Sequence, residues 1–378
     1  MSQLGADHHT SGFERDPSDM VQLLTPEGER VDHPEFSWDG SDETLLSMYR
    51  DMVIARRFDL EGTALQRHGE LGLWPPLQGQ EAAQVGATHA LRKADYVFPT
   101  YREHAVALSR GVKPADMLAL WRGTTMGVWD TKGTGFFQYG IVIGSQTLHA
   151  TGYAMGMQLD GAVGNPDPEK NAAVLAFHGD GASSQGDVNE AYVFAASYNS
   201  PVVFFCQNNQ WAISEPISRQ TRIPLYQRAR GFGFPGIRVD GNDVLAVNAV
   251  THWAMERARQ GQGPAFIEAF TYRMGAHTTS DDPSKYRLAE ETEHWRLKDP
   301  IERLRVHLTR KGLLDEAWLK ALEEEAEDFG AGVRAACHGL VNPEMEQIFA
   351  QTYADITQPL VGQRAEHVTW VESFEKGN

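Results

Sequence analysis

Apolar positions along this chain follow two rhythms. Between residues 41 and 68, Leu45, Met48, Tyr49, Met52, Val53 and Phe58 recur at helical spacing, which predicts one long helix capped by Ser41. Trp74-Pro75-Pro76 breaks that rhythm, and Gln80 to Leu91 resumes it. Short unbroken apolar runs then appear at Val97-Phe98, Ala172 to Phe177, Pro201 to Cys206, Ile237 to Val239 and Pro264 to Phe270. Each has the length of a strand buried on both faces. Helical stretches separate them: one ending near Gly111, one opened by Pro114, then Gln146 to Leu159, Ser184 to Tyr198, and one capped near Asp243 that runs to about Arg259. Strands alternating with helices predict an α/β fold, a mostly parallel sheet with helices on both faces. Residues 1–40 are polar and read as an extended arm with one ordered patch at Met20 to Leu24; 41–345 read as the α/β domain and 346–378 as a C-terminal tail.

Two strand ends carry the candidate chemistry. The Ala172 run ends in His178-Gly179-Asp180-Gly181-Ala182, and the Pro201 run ends in Gln207-Asn208-Asn209-Gln210-Trp211. One helix-length of sequence separates the two runs. Adjacent parallel strands joined by a crossover helix would bring Asp180 and Asn209 together at the carboxyl edge of the sheet, where open α/β sheets bind ligands. Both are oxygen donors, suited to a hard cation such as magnesium that leaves positions for diphosphate oxygens and water. Either motif alone reads as an ordinary turn or loop; the pair at this spacing does not.

Val97-Phe98-Pro99-Thr100-Tyr101-Arg102 runs from a strand toward a helix. An arginine at a helix start can hold phosphate, and the alternative is a capped helix with a surface arginine. Residues 127–144 are glycine-rich and aromatic without helical period, a long loop of the kind that carries function. The helix that follows has Gly152 and Gly156 four apart. Glycine costs about 1 kcal/mol in a helix, so the pair points to a close neighbouring backbone, and a subunit interface is the favoured source. His277 lies among glycine and hydroxyl residues, in surroundings that alone define no chemistry.

Charge and cysteine content narrow the classes. The formal net charge is -17, with no lysine-arginine stripe, which argues against nucleic acid. An anionic cofactor would then need local positive charge or a metal. Cys206 and Cys337 form neither a disulfide framework nor a zinc pattern. No apolar run reaches membrane-spanning length and no signal-peptide pattern opens the chain, so the cytoplasm is the expected home and no membrane partner is expected. His8-His9 is a weak metal motif within the polar arm. A dinucleotide-binding dehydrogenase is excluded because no Gly-x-Gly-x-x-Gly follows the first strand.

Together, Thr100 to Glu103, Gly179 to Asp187, Gln207 to Asn209, Ile237 to Asp243 and Thr271 to Asp282 resemble the alpha subunit of the thiamine-dependent first component of 2-oxo acid dehydrogenase complexes. The resemblance runs from about Thr44 to Asp355, and the stretches from Ile237 and Thr271 look most like the branched-chain enzymes, with pyruvate and acetoin enzymes next. It implies thiamine diphosphate and Mg2+. It implies that Asp180, Asn209 and the carbonyl of Trp211 bind the metal, and that Tyr101, Arg102, Gly181 and Ala182 hold the diphosphate. By the same resemblance Ser145 and the backbone near Thr147 meet the aminopyrimidine, and His277 serves at the reacting centre. The implied reaction is oxidative decarboxylation of a 2-oxo acid with acyl transfer to a lipoyl-bearing acyltransferase. The implied assembly is an α2β2 heterotetramer, in which the beta subunit supplies the glutamate for the aminopyrimidine. This chain departs from mammalian branched-chain members in several places. Thr278 and Leu288 stand where those have phosphorylated serines, Gln207 replaces a phosphate-binding arginine, Gly144 and His149 replace potassium ligands, and Thr147 replaces an apolar wedge.

Overall fold

The computed structural model describes residues 19–125, 129–350 and 353–375. His8-His9 and the start of the glycine-rich loop at Gly127 lie outside them. In chain order the strands are β1 (Met20–Val21), β2 (Tyr96–Phe98), β3 (Val174–Gly179), β4 (Val202–Asn208), β5 (Trp211–Ala212), β6 (Glu215–Pro216), β7 (Gly236–Asp240) and β8 (Ala265–Phe270). Among the described residues, six build one all-parallel sheet in the order β1-β7-β8-β4-β3-β2, while β5 and β6 pair as a small antiparallel hairpin. The expected α/β architecture is therefore the observed one.

The unbroken apolar runs are explained by two cores, one on each face of the sheet. Leu175, Phe177, Val203, Phe205 and Ile267 point to the face covered by the helices Asp42–Arg67, Glu81–Thr88 and Val244–Arg259. Val174, Ala176, Val202, Phe204 and Phe266 point to the other, under the helices Ser145–Leu159 and Gly186–Ser197. A strand covered on both sides has no polar position to spare. Helix ends follow local chemistry. Ser41 Oγ accepts from Thr44 N at 3.2 Å, and both carboxylate oxygens of Asp243 are used. Oδ1 caps Leu245 N and Ala246 N, and Oδ2 accepts from Leu23 N and Leu24 N at 2.7 and 2.6 Å.

That second use of Asp243 ties the described part of the arm to the domain. Met20–Val21 extends the sheet beside β7, and Leu23, Leu24 and Trp38 are buried. Order thus reaches well beyond the patch expected at Met20 to Leu24. At the other end, Glu316–His338 packs on Asp42–Arg67. The last helices, Met345–Ala350 and Gln358–Glu375, meet through Phe349 and His367, rings 6.0 Å apart.

The break at Trp74-Pro75-Pro76 is held from below by His104, whose ring stacks on Trp74 at 4.4 Å. His104 contacts Tyr139 Oη at 2.7 Å and Pro75 O at 3.1 Å. A carbonyl only accepts, so Nε2 carries the proton and Nδ1 accepts from Tyr139. Burial pushes the imidazole down to about 3. Between that value and the unfolded value the unfolded chain holds the extra proton, so stability rises with pH in this window. His104→Gln is expected to be less stable than the parent at pH 8 by about 1–3 kcal/mol. That gap should shrink by about 2 kcal/mol at pH 5, where only the parent bears the cost of keeping a buried imidazole neutral. Urea denaturation at the two pH values measures both numbers.

Candidate active site

β3 and β4 lie side by side with Gly179 opposite Gln207, so Asp180 and Asn209 leave neighbouring strand tips. A cavity of about 230 Å³ opens over these tips. Tyr101, Arg102, Asp180, Gly181, Ala182, Asn209, Trp211 and His277 all line it. At Gly181 a Cβ would stand 2.7 Å from the Ala212 side chain, so only glycine lets the hairpin close over the strand tip.

Asp180 is buried, and burial raises its carboxyl to about 6 even though Gln220 Nε2 donates to Oδ2 at 2.6 Å. Asn209 Nδ2 donates to Gln80 Oε1 at 3.2 Å, and Oδ1 receives only a long bond, 3.3 Å, from Trp211 N. The turn between them is strained. Gln210 has φ 71°, a left-handed conformation, that costs a non-glycine residue about 1–3 kcal/mol. Bonds from Gln210 N to Asn208 Oδ1 (3.1 Å) and from Gln210 Nε2 to Thr271 O (2.7 Å) hold it in place. The carbonyl of Trp211 accepts from Arg273 Nη1 at 2.8 Å, leaving one lone pair. No group of three or more His, Cys, Asp or Glu able to hold a metal occurs among the described residues. A cation at Asp180 would therefore have one carboxylate and would draw its remaining oxygens from amide, carbonyl and ligand, the mixed set magnesium accepts.

Tyr101 and Arg102 were expected at the start of a helix. The helix, His104–Ser109, begins just after them. Residues 100–103 instead form a turn closed by the buried Glu103, which accepts from Thr100 Oγ1 at 2.7 Å and from Gln207 Nε2. The turn sends Arg102 across the cavity to Pro76 O and to His277 O at 3.0 Å. Behind it stand Arg273 and Arg287, which bond to carbonyls and to Tyr286 Oη. Arg102, Arg273 and Arg287 are all buried, and among the described residues none has a carboxylate within ion-pair distance. Burial, with Arg102 next to it, lowers Arg273 to about 10. Buried charges are normally paired, so in a chain of net charge -17 this corner is arranged for an anion from outside.

Burial, then Arg102 and Arg273, push His277 down to about 3, so its ring is neutral. Arg102 Nη2 faces Nδ1 at 3.3 Å. Arginine only donates, so the proton sits on Nε2, which becomes a donor for a ligand oxygen. The loop is fixed by Asp281, which accepts from His277 N at 2.8 Å and from Tyr286 Oη. Burial opposes the Asp281 charge, but these bonds and Arg273 hold its carboxyl below the ordinary range.

Ser145 and Thr147 do not line the cavity. Ser145 Oγ donates to Val142 O at 2.9 Å, and the buried Thr147 hydroxyl to Gly144 O at 2.7 Å. The residue between them, Gln146, does line it, as do Gln80, Glu103, Gln207 and Arg273. Glu103, Gln207 and Arg273 fall within the motif stretches without a site role assigned to them, and Gln80 and Gln146 fall outside those stretches. The signal that exposes three of them is a buried polar atom without a partner: Gln80 Nε2, Gln146 Oε1 and Arg273 Nε have none among the described residues. Such atoms are uncommon in folded proteins and call for a ligand or water.

Residues 49–330 match the family described as Dehydrogenase E1 component. The chain is 46% identical over 350 residues to the 3-methyl-2-oxobutanoate dehydrogenase subunit alpha of Mycobacterium tuberculosis, covering 91% of this chain and 92% of that one. It is 42% identical to the pyruvate dehydrogenase E1 component subunit alpha of Acholeplasma laidlawii, over 88% and 95% of the two chains. The Staphylococcus aureus pyruvate dehydrogenase subunit is 38% identical over 91% of each. Matched along nearly its whole length, and with its carboxylate, amide and arginines gathered at the carboxyl edge of a parallel sheet, the chain belongs to the dehydrogenase E1 component family as an alpha subunit of a 2-oxo acid dehydrogenase.

Proposed function

We propose that this chain binds thiamine diphosphate through Mg2+ and serves the oxidative decarboxylation of a branched-chain 2-oxo acid. Membership in the E1 family implies the cofactor. The observation that carries the reading is the pair of buried arginines, Arg102 and Arg273, that line the cavity with Asp180 and Asn209 and have no carboxylate partner among the described residues. Asp180, Asn209 and the second lone pair of the Trp211 carbonyl would hold Mg2+. Tyr101, Arg102 and the N–H groups of Gly181 and Ala182 would hold the diphosphate, and the aminopyrimidine would lie toward the helix start at Ser145 to Thr147, where Gly144 and Gln146 line the cavity. Once bound, the cofactor supplies the electron sink that decarboxylation of a 2-oxo acid needs. His277 Nε2–H would donate to a carboxylate or carbonyl oxygen of the substrate.

Two partners belong to this reading: a beta subunit, in an α2β2 assembly, and the lipoyl-bearing acyltransferase that takes the acyl group. The beta subunit has a surface to cover. At the cavity mouth Ile141, Val142 and Ile143 are 52, 71 and 41% exposed. The chain beside it exposes Tyr153, Phe194 and Tyr198, and among the described residues nothing beyond the adjoining helix backbone comes within 4 Å of a Cβ placed at Gly152 or Gly156. No described helix is long and apolar enough to cross a membrane. The free cysteines Cys206 and Cys337 suit a reducing cytoplasm.

The substrate is read from the 46% relative, and the pyruvate relatives make pyruvate the second reading. Assayed with its beta subunit, the enzyme is expected to favour 3-methyl-2-oxobutanoate over pyruvate in kcat/KM by about tenfold or more, the discrimination two extra carbons can give. A preference for pyruvate would reverse the substrate assignment.

A further inference from the structure

Gln146 sits between the two residues through which the aminopyrimidine was expected to be held, yet it alone of the three lines the cavity. It is 2% exposed. Its Nε2 donates to Phe177 O at 2.8 Å. A backbone carbonyl cannot donate, so this bond fixes which end of the amide is which. Oε1 must be the free end, and it has no partner among the described residues. Gly140 packs against it: a Cβ there would lie 3.2 Å from Gln146 Oε1. Any larger residue at 140 would crowd that oxygen.

The three orphan atoms of the cavity divide by type. Gln80 Nε2 and Arg273 Nε are donors, joined through their own side chains to Asn209 and to the Trp211 carbonyl. They suit the oxygens of an anion. Gln146 Oε1 is an acceptor, carried by the helix that packs on β2 and β3. An uncharged acceptor requires a donor, and a diphosphate offers none. Thiamine diphosphate carries its nitrogen-bound hydrogens on the exocyclic amine of the pyrimidine, which has two. We infer that Gln146 Oε1 accepts from that amine, so that this side chain, with the neighbouring backbone, recognises the heterocycle and sets the direction in which the cofactor lies. The inference rests on the thiamine diphosphate reading above.

Calorimetry on the assembled alpha–beta enzyme, with Mg2+ present, tests it with three probes: thiamine diphosphate, its 4-deamino analogue with hydrogen in place of the amine, and inorganic pyrophosphate. The parent should bind the deamino analogue about tenfold or more weakly than the cofactor, the factor one hydrogen bond supplies. Gln146→Met is expected to lose about tenfold for thiamine diphosphate while its affinity for the deamino analogue and for pyrophosphate stays put, so the ratio between the two thiamine probes falls. Loss of packing or of the Phe177 bond would weaken both thiamine probes together and leave the ratio intact, which would overturn the assignment. Equal binding of the two by the parent would overturn it as well, even if the variant fails to fold. Parent enzyme that binds thiamine diphosphate with a ratio indifferent to Gln146 sinks this inference alone. Parent enzyme that binds neither thiamine probe sinks the cofactor reading with it.

Discussion

Asp180→Asn is expected to weaken thiamine diphosphate binding in the presence of Mg2+ by at least about a hundredfold, while the ligand-free protein keeps its fold and loses no stability. The two halves of this result have one cause. Asp180 is the carboxylate at the strand tips, and its carboxyl is raised to about 6 by burial despite the bond from Gln220. A carboxyl whose folded value lies above its unfolded value is a burden on the folded state at neutral pH. The burden is absent below about pH 4 and fully present above about pH 6. Asparagine keeps the shape and removes the charge, so melting temperature at pH 7.5 should stay level or rise. Binding responds in the opposite sense, because Mg2+ loses its one anionic protein ligand and the diphosphate loses the bridge to it. Breaking an ion-mediated contact in a buried site costs about 3–5 kcal/mol, a factor of about 150 to 5,000. Arg102→Ala should give a smaller loss, since Arg273 still faces the anion. Unchanged affinity in Asp180→Asn would remove Asp180 from the site.

Much of this geometry was written locally. The unbroken apolar runs, the crossover helix between them and the Gly-Asp-Gly and Asn-Asn tips depend on neighbours in sequence, and the sheet delivers them as read. The caps at Ser41 and Asp243 were equally local. What could not be read was set by residues far apart. Arg273 lies 62 residues beyond the carbonyl it holds, and Gln80 meets Asn209 across 129 residues. Nothing near Gln146 in the chain shows that one end of its amide is occupied by Phe177 and the other is free. Residues 25–40 are tied down by equally distant partners, as Trp38 Nε1 is by Asn248 Oδ1 at 3.0 Å. Within the patch expected to be ordered, the acceptor for the Leu23 and Leu24 N–H groups, Asp243, sits some 220 residues away. The β5–β6 hairpin was missed because its strands are two residues each, too short to show a period.

The chain by itself is expected to bind the cofactor weakly and to turn over no 2-oxo acid, and its beta subunit should restore both. The reason lies in the carboxylates of the cavity. Activation of an aminopyrimidine calls for an acid–base group facing the ring, and the described residues that line the cavity include two carboxylates, Asp180 and Glu103. Asp180 is assigned to the cation. Glu103 is buried and already accepts from Thr100 and Gln207, with burial raising its carboxyl. It braces the Arg102 turn, and three of its four lone pairs are taken by Thr100 N, Thr100 Oγ1 and Gln207 Nε2. The acid–base group is therefore expected from the beta subunit. The exposed apolar mouth at Ile141 to Ile143, together with the open Gly152–Gly156 face, marks where a chain can seat and shut out water. Decarboxylation measured on the isolated subunit with thiamine diphosphate, Mg2+ and an artificial electron acceptor should stay at background, and co-expression with the beta subunit should raise it by about three orders of magnitude or more, the scale on which acid–base and orientation effects act. Robust turnover by the subunit alone would assign the acid–base role to Glu103, and Glu103→Gln would then abolish it.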